Sequence, residues 1–392
     1  MPQSTRTPST MTTDPQPGIP RHLLAGVLLL CGAVMLQAGC ESLEYRPMAA
    51  GREGEIIVVM DSARWGGPVG DAVREHVAPY LGTLPAPERE FGLRRLSMTG
   101  QGALDAIRAQ KNVLIVAPLS DNTDEARFLK ARLDSSSIAA VMGGDTAIIS
   151  RRDLWRQRQQ VMYVLGATDD DLVRALESQG EDVRYQFNTI TRERMTREMF
   201  EKGRQPDLEQ QMLDKHGFAV NMQHDWFTAI DTTLSDSTGF IWLRRVVSSE
   251  SWRSLFLYYV DDFNPANLTP EWVQAARDRL SETWIHGNAG GYTTTDYRRD
   301  LTSENIDFKG RFAYETRGLW HMVFRDDDGE VKPFGMGGPF LNYTFYDEDT
   351  GRLYMLDGTV FAPGYDKREF LRQLEVISHT FRTAGDVAHP VP

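Results

Sequence analysis

Apolar and polar positions follow three rhythms along this chain, and each predicts a different kind of structure. Leu23–Leu36, "LLAGVLLLCGAVML", is almost unbroken in apolar character and follows Arg21 and His22. Fourteen such residues make about 21 Å of helix, short of the roughly 20 residues that span a bilayer. A second rhythm begins at Glu55. "IIVVM" (56–60) and "VLIVA" (113–117) are continuous apolar runs, as expected of strands covered on both faces. Between them "DAVREHVAPYL" and "ALDAIRAQ" read as helices, and Phe91–Met98 reads as a strand. "TAIIS" and "VMYVLGA" continue the strands. Thr168 then opens the helix "DDDLVRALESQG", with Leu172, Val173 and Leu176 on one face and Asp171 completing a capping box. Strands alternating with helices predict an α/β domain over residues 55–203. A polar helix, "TRERMTREMFEKG", leads to Gly203 and Pro206, two breakers that place a domain boundary there.

The third rhythm predicts an α+β domain over residues 204–385, an antiparallel sheet packed on helices. Phe218–Met222, Trp226–Thr232, Gly239–Val247 and Ser254–Val260 are short β-rich runs set close together. Helix "TPEWVQAARDRLSETWI" follows, capped by Thr269, with Pro270 in its first turn and a stripe of Trp272, Ala276, Leu280 and Trp284. Further strands after Phe308 turn at Asp328-Gly329 and Thr350-Gly351. In the last helix, "DKREFLRQLEVISHTF", Phe370, Leu371, Leu374, Ile377 and Phe381 share a face. Residues 386–392 form a tail.

The first apolar run resembles the lipobox signal of bacterial lipoproteins. A charged segment, a short apolar one and the small residues Ala38-Gly39 precede Cys40, with Leu36 fitting the pattern and Gln37 departing from it. The resemblance implies cleavage after residue 39 and lipid on the Cys40 thiol. A plain secretory signal or a short anchor is the alternative. Met11 offers a second start that would leave a 29-residue signal. Residues 40–54, short and polar with Gly and Pro, read as a tether, with order beginning at Glu55. Of the two cysteines Cys31 lies in the signal, so the mature chain has Cys40 alone. It can form no internal disulfide, and a lipidated thiol is neither nucleophile nor metal ligand.

Composition narrows the partners. A net charge of −12 argues against nucleic acid, which needs a basic face. With 41% hydrophobic and 25% charged residues in a chain of 392, two globular domains are expected.

Two family resemblances follow. The element order over residues 216–383, closing in a helix that ends "ISHTF", looks like the PsbP-like fold. "WGGPVGD", "RRDLWRQRQQV", "GPFLNYTFYD" and "LDGTVFAPGYDKREFLRQLE" together resemble domain-of-unknown-function family 4837. That resemblance implies a lipoprotein of the Gram-negative envelope with no assigned activity, and it transfers no catalytic residue.

Candidate chemistry is sparse. "DSARWGGPVGD", Asp61–Asp71, follows a strand and precedes a helix, where ligands bind in α/β layers. Gly66, Gly67 and Gly70 would let a backbone approach a ligand, and Trp65 could stack on it. The plainer reading has Trp65 in the core, the glycines forming the turn and Asp71 capping the helix. No P-loop, dinucleotide fingerprint, G-x-S-x-G elbow or H-E-x-x-H is present, so no cofactor or metal is expected. His216 and His224 read as surface residues, and "RDDDGE" and "DEDTG" as hairpin turns rather than calcium loops. Six of the eight tryptophans fall after residue 220, mostly at core spacing, with a glycan or peptide platform as the alternative. The expected function is a lipid-anchored, non-catalytic protein that binds an envelope protein or cell-wall component. The alternative is a carboxylate-dependent envelope hydrolase using Asp61 and Asp71. Glu41 after the cysteine favours the outer membrane.

Overall fold

The two continuous apolar runs lie side by side at the centre of a five-stranded sheet, and both faces of that sheet are covered. The computed structural model describes residues 46–145, 147–235, 237–248, 251–287 and 290–388. The signal run, Cys40 and Glu41 lie outside them. Strands β1 (Glu55–Val59), β2 (Gly92–Leu96), β3 (Asn112–Pro118), β4 (Ala147–Arg152) and β5 (Gln160–Gly166) are ordered β2-β1-β3-β5-β4. All pairs are parallel except β4–β5. Ile56, Val58, Leu114 and Val116 face one core, and Ile57, Val59, Val113 and Ile115 face the other. This alternation across a doubly covered sheet is why the strands read as unbroken apolar runs.

One helix, Asp169–Glu201, replaces the two that the sequence suggested. Thr168 and Asp171 do form the capping box. The polar stretch that follows is rich in Arg, Glu and Met, good helix formers that need no break. Its first turns bury Leu172, Leu176, Val183 and Phe187 against the five-stranded sheet, while Met199 and Phe200 pack on the core of the second half. The helix is therefore shared by both halves, and from Met48 onward the described residues form one compact unit.

The expected boundary is also folded. Pro206 starts a helix, Pro206–His216, where its missing N–H costs nothing, and Gly217 ends it at φ 79°. Part of the expected tether is docked as well. Ala50 N donates to the Ala109 carbonyl at 2.7 Å, Lys111 N to the Ala50 carbonyl at 2.8 Å, and Glu53 pairs with Arg194 at 2.7 Å.

Most of the second half is one antiparallel sheet. After a two-residue strand β6 (Phe218–Ala219) come β7 (Phe227–Ser235), β8 (Thr238–Ser248), β9 (Ser251–Val260), β10 (Tyr292–Thr295), β11 (Thr302–Phe308), β12 (Arg311–Arg325), β13 (Val331–Asp347) and β14 (Arg352–Phe361). The order is β10-β12-β13-β14-β9-β8-β7, with β11 beside β12; a final short strand, β15 (Arg382–Thr383), pairs with β6. Helix Pro270–Trp284 covers one face through Ala276, Leu280, Trp272 and Trp284. The closing helix, Arg368–His379, covers the other with Leu371, Leu374 and Ile377. Among the described residues no helix is long and apolar enough to cross a membrane.

Candidate functional site

The Asp61–Asp71 segment lies at the carboxyl end of β1, as its position in the sequence implied. Asp61 caps a short helix, Ser62–Trp65, accepting from Ala63 N and Arg64 N at 3.0 Å. Gly67 precedes a second short helix, Pro68–Ala72, and this corrects the role given to Asp71. Pro68 takes the first helical position, so Asp71 falls a turn inside, exposed and paired with Arg74 at 2.9 Å. Trp65 is half-buried against the core, with the Arg74 guanidinium 4.2 Å from its ring centre. Gly66 and Gly67 have ordinary room for a side chain. Gly70 has none, since a Cβ there would sit 2.2 Å from the Trp65 carbonyl oxygen.

Sequence reasoning missed the residue at the centre of this loop. Arg64 bonds Asp61 at 2.6 Å, Asp121 after β3 at 2.8 Å, and Asp169 after β5 at 2.6 Å. Burial would raise the Asp61 carboxyl, but Arg64 and the capped N–H groups hold it below its usual range. The carboxyl ends of three strands are thus tied by one guanidinium. The spot where an anion would sit carries carboxylates, and their counter-charge comes from the chain itself.

A larger feature lies between the halves. A cleft of about 860 Å³ is lined by Tyr80–Thr83, Glu90 and the long helix on one side, and by β11, β12, β13 and the closing helix on the other. Its floor is an ion-pair network. Glu90 pairs with Arg368 across the halves, and Arg368 also holds Glu375 at 3.0 Å. Arg317 bridges Glu375 at 3.0 Å and Glu315 at 2.6 Å. Behind the floor Arg372 donates to the Glu90 carbonyl and the Asn188 amide oxygen, both at 2.8 Å. Local structure places these groups together. Glu315 and Arg317 are two apart on β12 and share a face, with Glu315 opposite Tyr343 in register. Arg368, Arg372 and Glu375 recur at helical spacing. Glu88 accepts from Lys367 N at 2.9 Å and Arg368 N at 2.8 Å, so the first half caps the closing helix of the second.

Electrostatics fix the protonation states. Burial alone would raise Glu90 and Glu375; the surrounding arginines outweigh it and hold both carboxyls below the usual range. His379 lines the cleft, and its Nδ1–H donates to the Glu375 carbonyl at 3.1 Å. Burial, then the nearby positive charge of Arg192, pushes its pKa down to about 3, so the ring is neutral. Arg368 Nε is buried without a hydrogen-bond partner. At the mouth Tyr80 and Tyr185 are 58% and 65% exposed.

Other sequence candidates fall elsewhere. His216, expected at the surface, is buried, with Nε2 2.8 Å from Asp231 and packing against Phe218 and Tyr259. Trp226, Trp242 and Trp320 are buried and Trp252, Trp272 and Trp284 partly so; the exposed aromatic rings are tyrosines and phenylalanines. "RDDDGE" and "DEDTG" are the β12–β13 and β13–β14 turns. No group of three His, Cys, Asp or Glu suited to a metal occurs among the described residues.

The fold defines a mixed α/β protein of two joined halves, with a polar cleft between them. Its second half, residues 205–380, matches the family described as a domain of unknown function (DUF4837), which the sequence motifs resembled; "GPFLNYTFYD" and "LDGTVFAPGYDKREFLRQLE" lie in this stretch, whereas "WGGPVGD" and "RRDLWRQRQQV" lie outside it. Residues 49–200 match a second domain of unknown function (DUF8532), so the cleft is walled by both. No curated protein matches the chain. A solved structure, LpqN, involved in cell envelope biogenesis of Mycobacterium tuberculosis, is 13% identical, with a TM-score of 0.22. The match covers 42% of this chain and 81% of LpqN. At that score the likeness carries no argument about fold or role.

Proposed function

We propose that this is a lipid-anchored cell-envelope protein without catalytic activity, which holds a partner protein or cell-wall component in the cleft between its halves. Cys40 carries the lipid, and the outer membrane of a Gram-negative bacterium is the expected site. The observation that carries the binding role is the cleft itself, about 860 Å³ and built by both family domains. That volume lies within the roughly 300–1,000 Å³ of pockets that bury a drug-sized ligand. We also read residues 216–383 as PsbP-like, on the order of strands, helix, hairpins and closing helix.

The alternative, a carboxylate-dependent hydrolase, has better candidates in Glu90, Glu315 and Glu375 than in Asp61 and Asp71. It needs one carboxyl raised enough to give up a proton near neutral pH. Glu90 and Glu375 are held the other way, by arginines, which favours the binder.

Two variants of the full chain test the proposal. Cys40→Ser should lose incorporated fatty acid and leave the membrane fraction, because a diacylglycerol with an added acyl chain anchors stably where one chain would not. Membrane attachment of that variant after signal removal would defeat the anchor. Arg192→Glu should lose an envelope component that crosslinks to the wild type. If the crosslinked species are the same for both, the cleft is not the binding site.

A further inference from the structure

The charges of the cleft that the floor network does not use lie on different walls. Arg192, on the long helix, lines the cleft, and its guanidinium has no hydrogen-bond or ion-pair partner among the described residues. The Nε of Arg368, 95% buried, is also unpartnered. That Nε has no exposed surface, so Arg368 acts on an incoming anion through the positive charge of the floor, and Arg192 is the guanidinium left to contact it. On the opposite wall Asp300 and Glu304 are exposed and unpaired. The floor, by contrast, is internally balanced, since Glu90, Glu315 and Glu375 are matched by Arg317, Arg368 and Arg372.

Glu304 belongs to β11, which among the described residues pairs with β12 alone. Lys309-Gly310 closes this hairpin in two residues, at φ 59° and 80°, with Phe308 opposite Arg311. In such a hairpin the flanking residues form a hydrogen-bonded pair, and alternate residues point their backbone groups away from the partner. Ser303, Asn305 and Asp307 therefore offer free N–H and C=O groups along an open edge. Asp307 lines the cleft although its side chain leaves the face opposite to that of Glu304, so the cleft reaches round this edge. An open edge recognises extended peptide by adding it as a strand.

We infer that the cleft takes a short extended peptide bearing a free carboxylate and a free ammonium, its backbone along β11, its carboxylate at Arg192, and its ammonium at Asp300 and Glu304. This rests on the binding role proposed above and names its ligand class. A neutral saccharide would leave the unpaired charges of both walls unused, and a polyanion would be repelled by the acidic one.

The probe is tetra-alanine with free termini, compared with its C-terminal amide and its N-acetyl form, titrated by NMR against the full chain in detergent. Each capped form should bind about tenfold more weakly, as loss of a charged hydrogen-bond partner implies. Arg192→Ala should weaken the free peptide about tenfold and leave the amide unchanged, because the two changes remove the same contact. Glu304→Gln with Asp300→Asn should do the same for the acetylated end. An unaltered melting temperature shows that each variant is folded. Equal affinity for the three forms, or no binding at about 10 mM, overturns the inference. If none binds and Arg192→Glu still releases the envelope component, only the peptide assignment falls. If that variant releases nothing, the binding role falls with it.

Discussion

Replacing Glu90 by glutamine asks whether the floor network holds the two halves together as one folding unit. Glu90 is 8% exposed and comes from the first half; its partner Arg368 comes from the second. Glutamine keeps the shape and can still accept from Asn188 Nδ2, which bonds Glu90 at 3.1 Å. It removes the negative charge between Arg368 and Arg372. Breaking a buried pair from one side costs about 3–5 kcal/mol, and the low end applies because Arg368 retains Glu375. Unfolding entropy near 2.1 cal/mol/K per residue gives about 0.7 kcal/mol/K for some 340 residues, so about 3 kcal/mol lowers the melting temperature by about 4 °C. If the first half melted alone, the same loss would move its transition by about 9 °C and leave the second in place. Calorimetry at pH 7 separates these cases. The pH dependence has a fixed sign. Glu90 has a lowered pKa in the folded protein, so its contribution is complete above the unfolded value near 4.3 and is lost as pH falls through the folded value. The deficit of Glu90→Gln should therefore shrink in acid. A single transition that does not move at pH 7 would refute the reasoning.

Two further outcomes follow from the geometry. His379 falls from an ordinary value near 6.5 to about 3, so between these limits the unfolded chain binds the extra proton and stability drops as pH is lowered. His379→Gln should flatten the fall in melting temperature between about pH 6.5 and 4.5, and an unchanged slope would show that the ring is not held neutral. Gly70→Ala should destabilise by about 1–3 kcal/mol, because a Cβ 2.2 Å from the Trp65 carbonyl forces a backbone shift. Urea titration measures this, and a neutral result would mean the turn has slack.

The parts that were legible in the sequence are those fixed by local chemistry. Continuous apolar runs gave β1 and β3, the capping box gave the start of the long helix, and the tryptophan stripe gave helix Pro270–Trp284. Gly203 and Pro206 stand where the two family matches divide, while Pro206 also opens a helix whose Met212 packs on the second half's core. The charged stretch before Gly203 reads in the sequence only as a polar helix. It buries Arg194, which is satisfied by Glu53 and Asn112 from elsewhere in the chain. The cleft was illegible for the same reason. Glu90, Glu315 and Glu375 are more than two hundred residues apart at the extremes, and no spacing rule joins them. Arg368, Arg372 and Glu375 lie on the polar side of an amphipathic helix, a pattern that reads as solvated surface, and only the fold shows them buried among distant carboxylates.

Occupancy of the cleft in the envelope is the claim on which the account stands, and a thiol at its mouth reports it directly. Tyr185 is 65% exposed, and the chain's two cysteines are Cys31, in the proposed signal, and Cys40, the proposed lipid site. Tyr185→Cys can therefore be labelled selectively with a maleimide once Cys40 is lipidated. The account predicts slow labelling in intact envelopes, faster labelling in the purified protein, and fast labelling in both when Arg192→Glu is added. Equally fast labelling in envelopes and in purified protein, with no response to Arg192→Glu, would contradict it.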